Sequence, residues 1–309
     1  MKSIAVTTND PDSAVLTAPD GCTKYRAPSR PTDREMADWC HPRSKPDRWM
    51  YDHVVDPVAE RAGEEPDCLL GVWAHPDDEA YLSAGLMART IAAGGRVVVV
   101  AITDGEAGFS ADDARPVERR AAQRRRELRA AMEVIGVHDI RFLGVADGGV
   151  AAAPADRLVA QIGDIIREVS PDVIVTFGPD GITGHSDHVA NSSLVTRAWM
   201  DGGVGELWYA AKTNEWLAEW RELHDQFGVW MTGEPTGVRI EDVETIVDLD
   251  GVALATKRAV LAEHGSQTNG LAAAFGESRY CDWICQETFR RPSATELMET
   301  SAPVRTVVS

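Results

Sequence analysis

The sequence predicts an α/β fold, a Rossmann-like and mostly parallel sheet with helices on both faces. Short apolar runs rich in Val and Ile alternate with longer stretches of helical period, which is how a parallel sheet covered by helices reads. The strand candidates also end in polar residues, and open parallel sheets bind ligands beyond the carboxyl ends of their strands. At 309 residues the chain is long enough to bury a sizeable core.

Taken in order, residues 1–65 are rich in Pro, Asp, Thr and Arg without a sustained period, so they read as an irregular extension. A single α/β domain is expected over 66–309. Its strands are predicted at Cys68 to Ala74, Arg96 to Thr103, Ile140 to Val145 and Asp172 to Gly178. Helices are predicted at Glu79 to Ala93, Pro116 to Gly136 and Pro154 to Val169, each stopping at a Gly or before a Pro. Glu206 to Thr213 and Glu244 to Leu249 could extend the sheet.

Charge and cysteine usage narrow the function. A formal charge of -18 repels phosphate backbones and anionic lipid surfaces, so neither nucleic acid nor membrane is expected as a partner. The five cysteines, Cys22, Cys40, Cys68, Cys281 and Cys285, are odd in number and lack Cys-x-x-Cys spacing, which fits reduced thiols better than disulfides or a thiolate metal knuckle. The first ten residues lack the apolar core of a signal peptide, and no apolar run reaches membrane-spanning length. A cytoplasmic protein is expected, with a homo-oligomer allowed but not required.

Four polar loops follow the four main strands: His75 to Glu79, Asp104-Gly105-Glu106, Asp147-Gly148-Gly149 and Asp180 to His188. His75 and Asp78 stand three apart where a strand turns into a helix, so both side chains can face one way. With His188 they make two imidazoles and a carboxylate, a set that suits a catalytic zinc with room for water. Spacing does not decide which of Asp77 and Asp78 is the ligand. Taken alone, Asp77, Asp78 and Glu79 could equally favour a helix N-terminus.

Ala74-His75-Pro76-Asp77-Asp78-Glu79, with Gly184-His185-Ser186-Asp187-His188 downstream, resembles the PIG-L/LmbE family of zinc-dependent N-deacetylases. Thr103-Asp104-Gly105-Glu106, Arg124 to Leu128 and Phe142-Leu143-Gly144 extend the likeness over roughly 68–270. The resemblance implies an LmbE-like fold, with His75, Asp78 and His188 as ligands of one Zn2+ per chain and Asp77 as general base. It implies that His185 stabilises the oxyanion or protonates the departing amine, and that Asp187 orients His185. Arg124, Asp147 and Thr183 take positions that it associates with substrate or the oxyanion, while Glu79 is read either as positioning substrate or as favouring its helix end. Two departures stand out: Ser186 where members often carry Pro, and Thr183 where some carry an oxyanion-binding Tyr.

The implied reaction is hydrolysis of an N-acetyl group on an N-acetylglucosamine-type sugar or glycoconjugate, giving acetate and a free amine. The alternative is a metal-dependent amidase acting on a thiol conjugate or an acylated natural product. Such ligands also accept other divalent metals. A nucleotide-binding oxidoreductase is disfavoured, because no Gly-x-Gly-x-x-Gly follows the first strand and carboxylates stand where pyrophosphate would sit. No Gly-x-Ser-x-Gly elbow supports a serine hydrolase. The later stretch Lys257, Leu261, His264, Ser266, Gln267 also resembles the family, but it reads here as a helix ending at Gly265 with His264 near the negative end of its dipole.

Overall fold

The computed structural model describes residues 6–10, 13–16 and 65–301. The expected irregular extension therefore lies mostly outside the described residues. Within it, strand β1 (Val6–Asp10) pairs antiparallel with β2 (Ser13–Leu16).

The main sheet has seven strands: β3 (Cys68–Trp73), β4 (Arg96–Thr103), β5 (Asp139–Val145), β6 (Val173–Phe177), β7 (Glu206–Ala211), β8 (Thr245–Asp248) and β9 (Gln286–Arg290), in the order β5-β4-β3-β6-β7-β9-β8. The five from β5 to β7 are mutually parallel, and β9 runs antiparallel to both its neighbours. A mostly parallel sheet is thus what forms. Sequence reading missed β1 and β2, which fall in the stretch read as irregular, and in the main sheet it missed β9, because Gln286-Glu287-Thr288-Phe289-Arg290 looks polar. Glu287 is nevertheless buried, its charge answered by Lys257 Nζ at 2.8 Å.

Ten helices are seen among the described residues: α1 (Asp78–Leu82), α2 (Ala84–Ala92), α3 (Val117–Val134), α4 (Ala155–Val169), α5 (Ser186–Gly202), α6 (Asn214–Phe227), α7 (Gly251–Glu263), α8 (Gly265–Phe275), α9 (Glu277–Ile284) and α10 (Ala294–Ser301). The single helix expected over 79–93 is broken at Ser83, whose hydroxyl bonds back to the Glu79 carbonyl at 3.1 Å and competes with the helix ladder.

Alternation along the strands sorts the core onto two faces. Leu69, Trp73, Val97, Val99 and Val175 pack against Leu86 and Met87 of α2, Leu128 and Met132 of α3 and Val260 of α7. Leu70, Val72, Val98, Val100 and Ile174 pack against Leu158, Ile162 and Ile166 of α4 and Leu194 and Val195 of α5. Burying each such aliphatic side chain contributes about 1.5–3 kcal/mol, so helices on both faces are what the apolar strands require.

The chain leaves β3 for β4 on one side and later returns to β6 on the other. Loops following β3 and β6 therefore part around a crevice at the carboxyl edge, the usual ligand position in such sheets. Both histidine-bearing segments lie there.

Candidate metal centre and active site

His75 and Asp78 come from the β3–α1 junction, and His188 from the first turn of α5. His75 Nδ1 lies 3.1 Å from His188 Nε2 and 3.5 Å from Asp78 Oδ2, while His188 Nε2 lies 3.3 Å from Asp78 Oδ1. Four donors placed tetrahedrally about zinc at 2.0–2.1 Å stand roughly 3.3 Å apart, so the three separations are those of one face of such a site. All three residues are buried.

The tautomer of His188 follows from its other nitrogen. Nδ1–H donates to the Gly181 carbonyl at 3.0 Å, which leaves the Nε2 lone pair for the shared point. A Cβ on Gly181 would fall 2.8 Å from that of His188, so only glycine allows this approach, and its φ of +65° suits glycine too. Burial pushes His188 down to about 4, keeping the ring neutral. Asp78 is held down at about 2, because the His188 and His75 rings outweigh the upward push of burial. His75 is raised well above the imidazole range despite its burial, by Asp147, Asp187 and Asp78.

Two other donor groups share His75. One nitrogen each from His75, His185 and His188 lies within 4.8 Å of the others, as do donors from His75, Asp147 and Asp187. The second group is a poorer cation cage, since its carboxylates already accept N–H bonds from Ala107, Gly148 and Val150 at 2.9, 2.7 and 3.1 Å. Instead, Asp147 Oδ1 at 3.1 Å and Asp187 Oδ2 at 3.4 Å flank His75 Nε2. Neither contact has hydrogen-bond geometry. The two carboxylates brace the back of the ring, an arrangement that aligns metal-binding histidines.

Asp77 faces elsewhere. Its backbone sits at φ 124°, ψ -25°, a strained conformation of the kind that costs about 1–3 kcal/mol and clusters at functional sites. The carboxylate turns toward Arg124, whose Nη2 is 3.3 Å from Oδ1. Burial lifts Asp77 to about 6 against the pull of Arg124, and a carboxylate in that range suits proton transfer near neutrality. The backbone thus separates two adjacent aspartates that spacing left indistinguishable.

His185 caps α5, its Nδ1 accepting from the Asp187 N–H at 3.1 Å. The bond assigns the proton to Nε2 in the neutral ring. Burial and then the neighbouring His75 charge push His185 below the usual imidazole value.

Comparison with known proteins decides the family. Residues 70–199 match the family model described as PIG-L, GlcNAc-PI de-N-acetylase. A 1D-myo-inositol 2-acetamido-2-deoxy-alpha-D-glucopyranoside deacetylase of Kineococcus radiotolerans is 31% identical over 275 residues, covering 72% of this chain and 75% of the relative. A deacetylase of the same name from Rhodococcus jostii is 35% identical over 239 residues, covering 64% of this chain and 81% of the relative. The chain belongs to the PIG-L family. N,N'-diacetylchitobiose deacetylase from Pyrococcus horikoshii has a similar fold, with a TM-score of 0.52 and 18% identity over 90% of this chain and 98% of that one.

Within this PIG-L chain, the residues expected to read substrate also bond protein groups around the site. Arg124 is buried, and its guanidinium bonds the Gly105 carbonyl at 2.9 Å, the Pro76 carbonyl and Asp77. Glu79 is fully buried, accepting from the Asp77 N–H at 3.0 Å and from His264 Nε2 at 2.7 Å. Asp147 bonds the Ala107 N–H at 2.9 Å and braces His75. The Thr183 hydroxyl lies 3.2 Å from His188 Nδ1, on the side of the ring away from Asp78. Arg124 and Glu79, buried beside the strained residue Asp77, satisfy their charges on that loop, as buried charged groups require.

Asp187 meets His185 through its main chain. Its carboxylate takes the Gly148 and Val150 N–H groups and faces His75, so only its main chain touches His185. His264 does not end a solvated helix. It is buried at the α7–α8 junction, where it meets Glu79. The matched PIG-L stretch stops before it.

Proposed function

We propose that this chain removes the acetyl group from an N-acetylglucosamine-type sugar or glycoconjugate by metal-dependent hydrolysis, releasing acetate and a free amine, with one zinc per chain. The observation that carries the reading is the meeting of His75 Nδ1, His188 Nε2 and the Asp78 carboxylate at 3.1–3.5 Å. Both named relatives are deacetylases of a glucosamine linked to inositol, so an N-acetylglucosaminide of a polyol is the favoured substrate. Cys68 and Cys285 carry free thiols, in keeping with a cytoplasmic site of action.

In this mechanism His75, Asp78 and His188 hold the metal, with Asp147 and Asp187 steadying His75. A bound divalent cation supplies a Lewis acid that acidifies water and polarises the acetamide carbonyl. Asp77 takes the proton as the water oxygen attacks the carbonyl carbon. His185 Nε2–H donates to the oxygen on which charge develops, and the Asp187 N–H keeps that tautomer in place. As the C–N bond breaks, Asp77 returns its proton to the nitrogen, so acetate and amine leave with atoms balanced.

The test is acetate release by zinc-loaded protein from a panel of N-acetylglucosaminides, polyol glycosides among them, set beside acylated thiol conjugates. Release from the aminosugars supports the reading. Turnover confined to the thiol conjugates, or no acetate from any amide, overturns it.

A further inference from the structure

The peptide between Pro76 and Asp77 is gripped at both ends. Its carbonyl oxygen accepts from Arg124 Nη2. Its N–H donates to Glu79 Oε2 at 3.0 Å, and the other oxygen of that carboxylate accepts from His264 Nε2 at 2.7 Å. Glu79 and His264 are both fully buried, although 185 residues separate them in the chain. The relay runs from the α7–α8 junction through α1 to the strained residue that follows β3.

Asp77 at φ 124° is not a conformation an aspartate keeps by itself. The simplest relaxation is a flip of the 76–77 peptide, which turns its C=O and N–H over together. A grip on the oxygen alone leaves the flip opposed by one bond, whereas a grip on both ends opposes it twice. The flip would also turn Asp77 out of register with Asp78, its neighbour in the chain.

His264 has little else to do. Its Nδ1 is buried without a hydrogen-bond partner among the described residues, so the ring's side-chain bonding there goes to Glu79. A histidine kept for packing alone would more often have both nitrogens satisfied, and an unsatisfied buried polar atom calls for a functional explanation.

We infer that His264, acting through Glu79, is a positioning residue that locks the Pro76–Asp77 peptide and so aims the Asp77 carboxylate. The inference rests on the proposed function in one respect, that Asp77 accepts the proton. The side-chain bond of His264 goes to Glu79 and not to His75, Asp78 or His188, so its loss should leave metal and substrate binding in place while slowing the chemical step.

The experiment compares His264→Gln, whose amide nitrogen can stand where Nε2 stands, with His264→Asn, which is too short to reach Glu79. Each full-length protein is loaded with zinc and assayed for zinc per chain, for hydrogen exchange of the segment containing the Asp77 amide, and for kcat and KM of acetate release. His264→Asn should keep one zinc per chain and a KM within about twofold, while kcat falls about 10- to 100-fold, the range usual for residues that orient an active group from behind. Exchange at Asp77 should quicken. His264→Gln should restore most of both, and adding His264→Asn to Glu79→Gln should cost nothing beyond Glu79→Gln alone.

Unchanged kcat and unchanged exchange in His264→Asn overturn the inference, as does a kcat loss that merely follows zinc loss. Failure of the unsubstituted protein to release acetate from any amide strikes the proposed function instead. In that event the exchange comparison alone decides the lock: slower exchange in the Gln variant than in the Asn variant upholds it, and equal exchange refutes it.

Discussion

Asp187 Oδ2 stands 3.4 Å from His75 Nε2 and accepts the Gly148 N–H at 2.7 Å, so this carboxylate backs the His75 ring, a proposed metal ligand, while it anchors the turn after β5. It joins the loops of two strands behind one imidazole. Asp187→Asn should therefore weaken zinc affinity about 10- to 100-fold. Competition with a chelator checks this, and unchanged affinity would return Asp187 to a role at His185.

Asp77→Asn should separate binding from chemistry. The amide cannot accept the proton, yet His75, Asp78 and His188 keep their geometry. Zinc content should stay at one per chain while acetate release falls below detection or nearly so. Loss of zinc along with activity would place Asp77 among the ligands.

His185→Ala removes the donor aimed at the developing oxyanion. Loss of one such donor costs about 3–4 kcal/mol of barrier, or roughly a hundred- to a thousandfold in kcat. Steady-state kinetics with zinc content held equal would show it. A fall confined to KM would mean that His185 binds substrate without favouring the transition state.

Lys257 and Glu287 form an ion pair with both side chains fully buried, and the carboxylate also accepts the Gly85 and Leu86 N–H groups at 2.8 and 2.9 Å. Lys257→Met strands that charge and should destabilise the protein by about 3–5 kcal/mol. Urea denaturation measures the loss. Glu287→Gln should cost a comparable amount, because it leaves the buried Lys257 charge unanswered and removes one of the two acceptors at the start of α2.

His224 gives a stability limb in acid. Burial, and secondarily the Lys212 charge, lower its pKa from 6.5 to about 4. Between those values the unfolded chain binds a proton that the folded chain refuses, so stability falls as pH drops through this window and is fully present above it. His224→Gln keeps an acceptor for Trp283 Nε1, which donates to His224 at 3.0 Å, and should flatten the fall of melting temperature across that range.

The sheet was legible in the sequence wherever strands were apolar on both faces, as with Val97 to Ile102, because a parallel strand between helix layers leaves no polar alternation. Strand β9 was not, since Glu287 satisfies its charge through Lys257, 30 residues earlier, and local pattern carries no trace of that pairing. The side chains proposed to bind metal were legible because ligand chemistry restricts residue type. The choice between Asp77 and Asp78 was not, since it rests on one backbone angle. The bonds of Arg124 to Gly105 and of His264 to Glu79 were not legible, because they join residues 19 and 185 positions apart, which no local pattern records.

Anomalous diffraction from a zinc-loaded crystal tests the central claim most directly. A single peak about 2.0–2.1 Å from His75 Nδ1, His188 Nε2 and an Asp78 oxygen is the predicted result. A peak at His75 Nε2 between Asp147 and Asp187, or none beside these residues, would contradict the account.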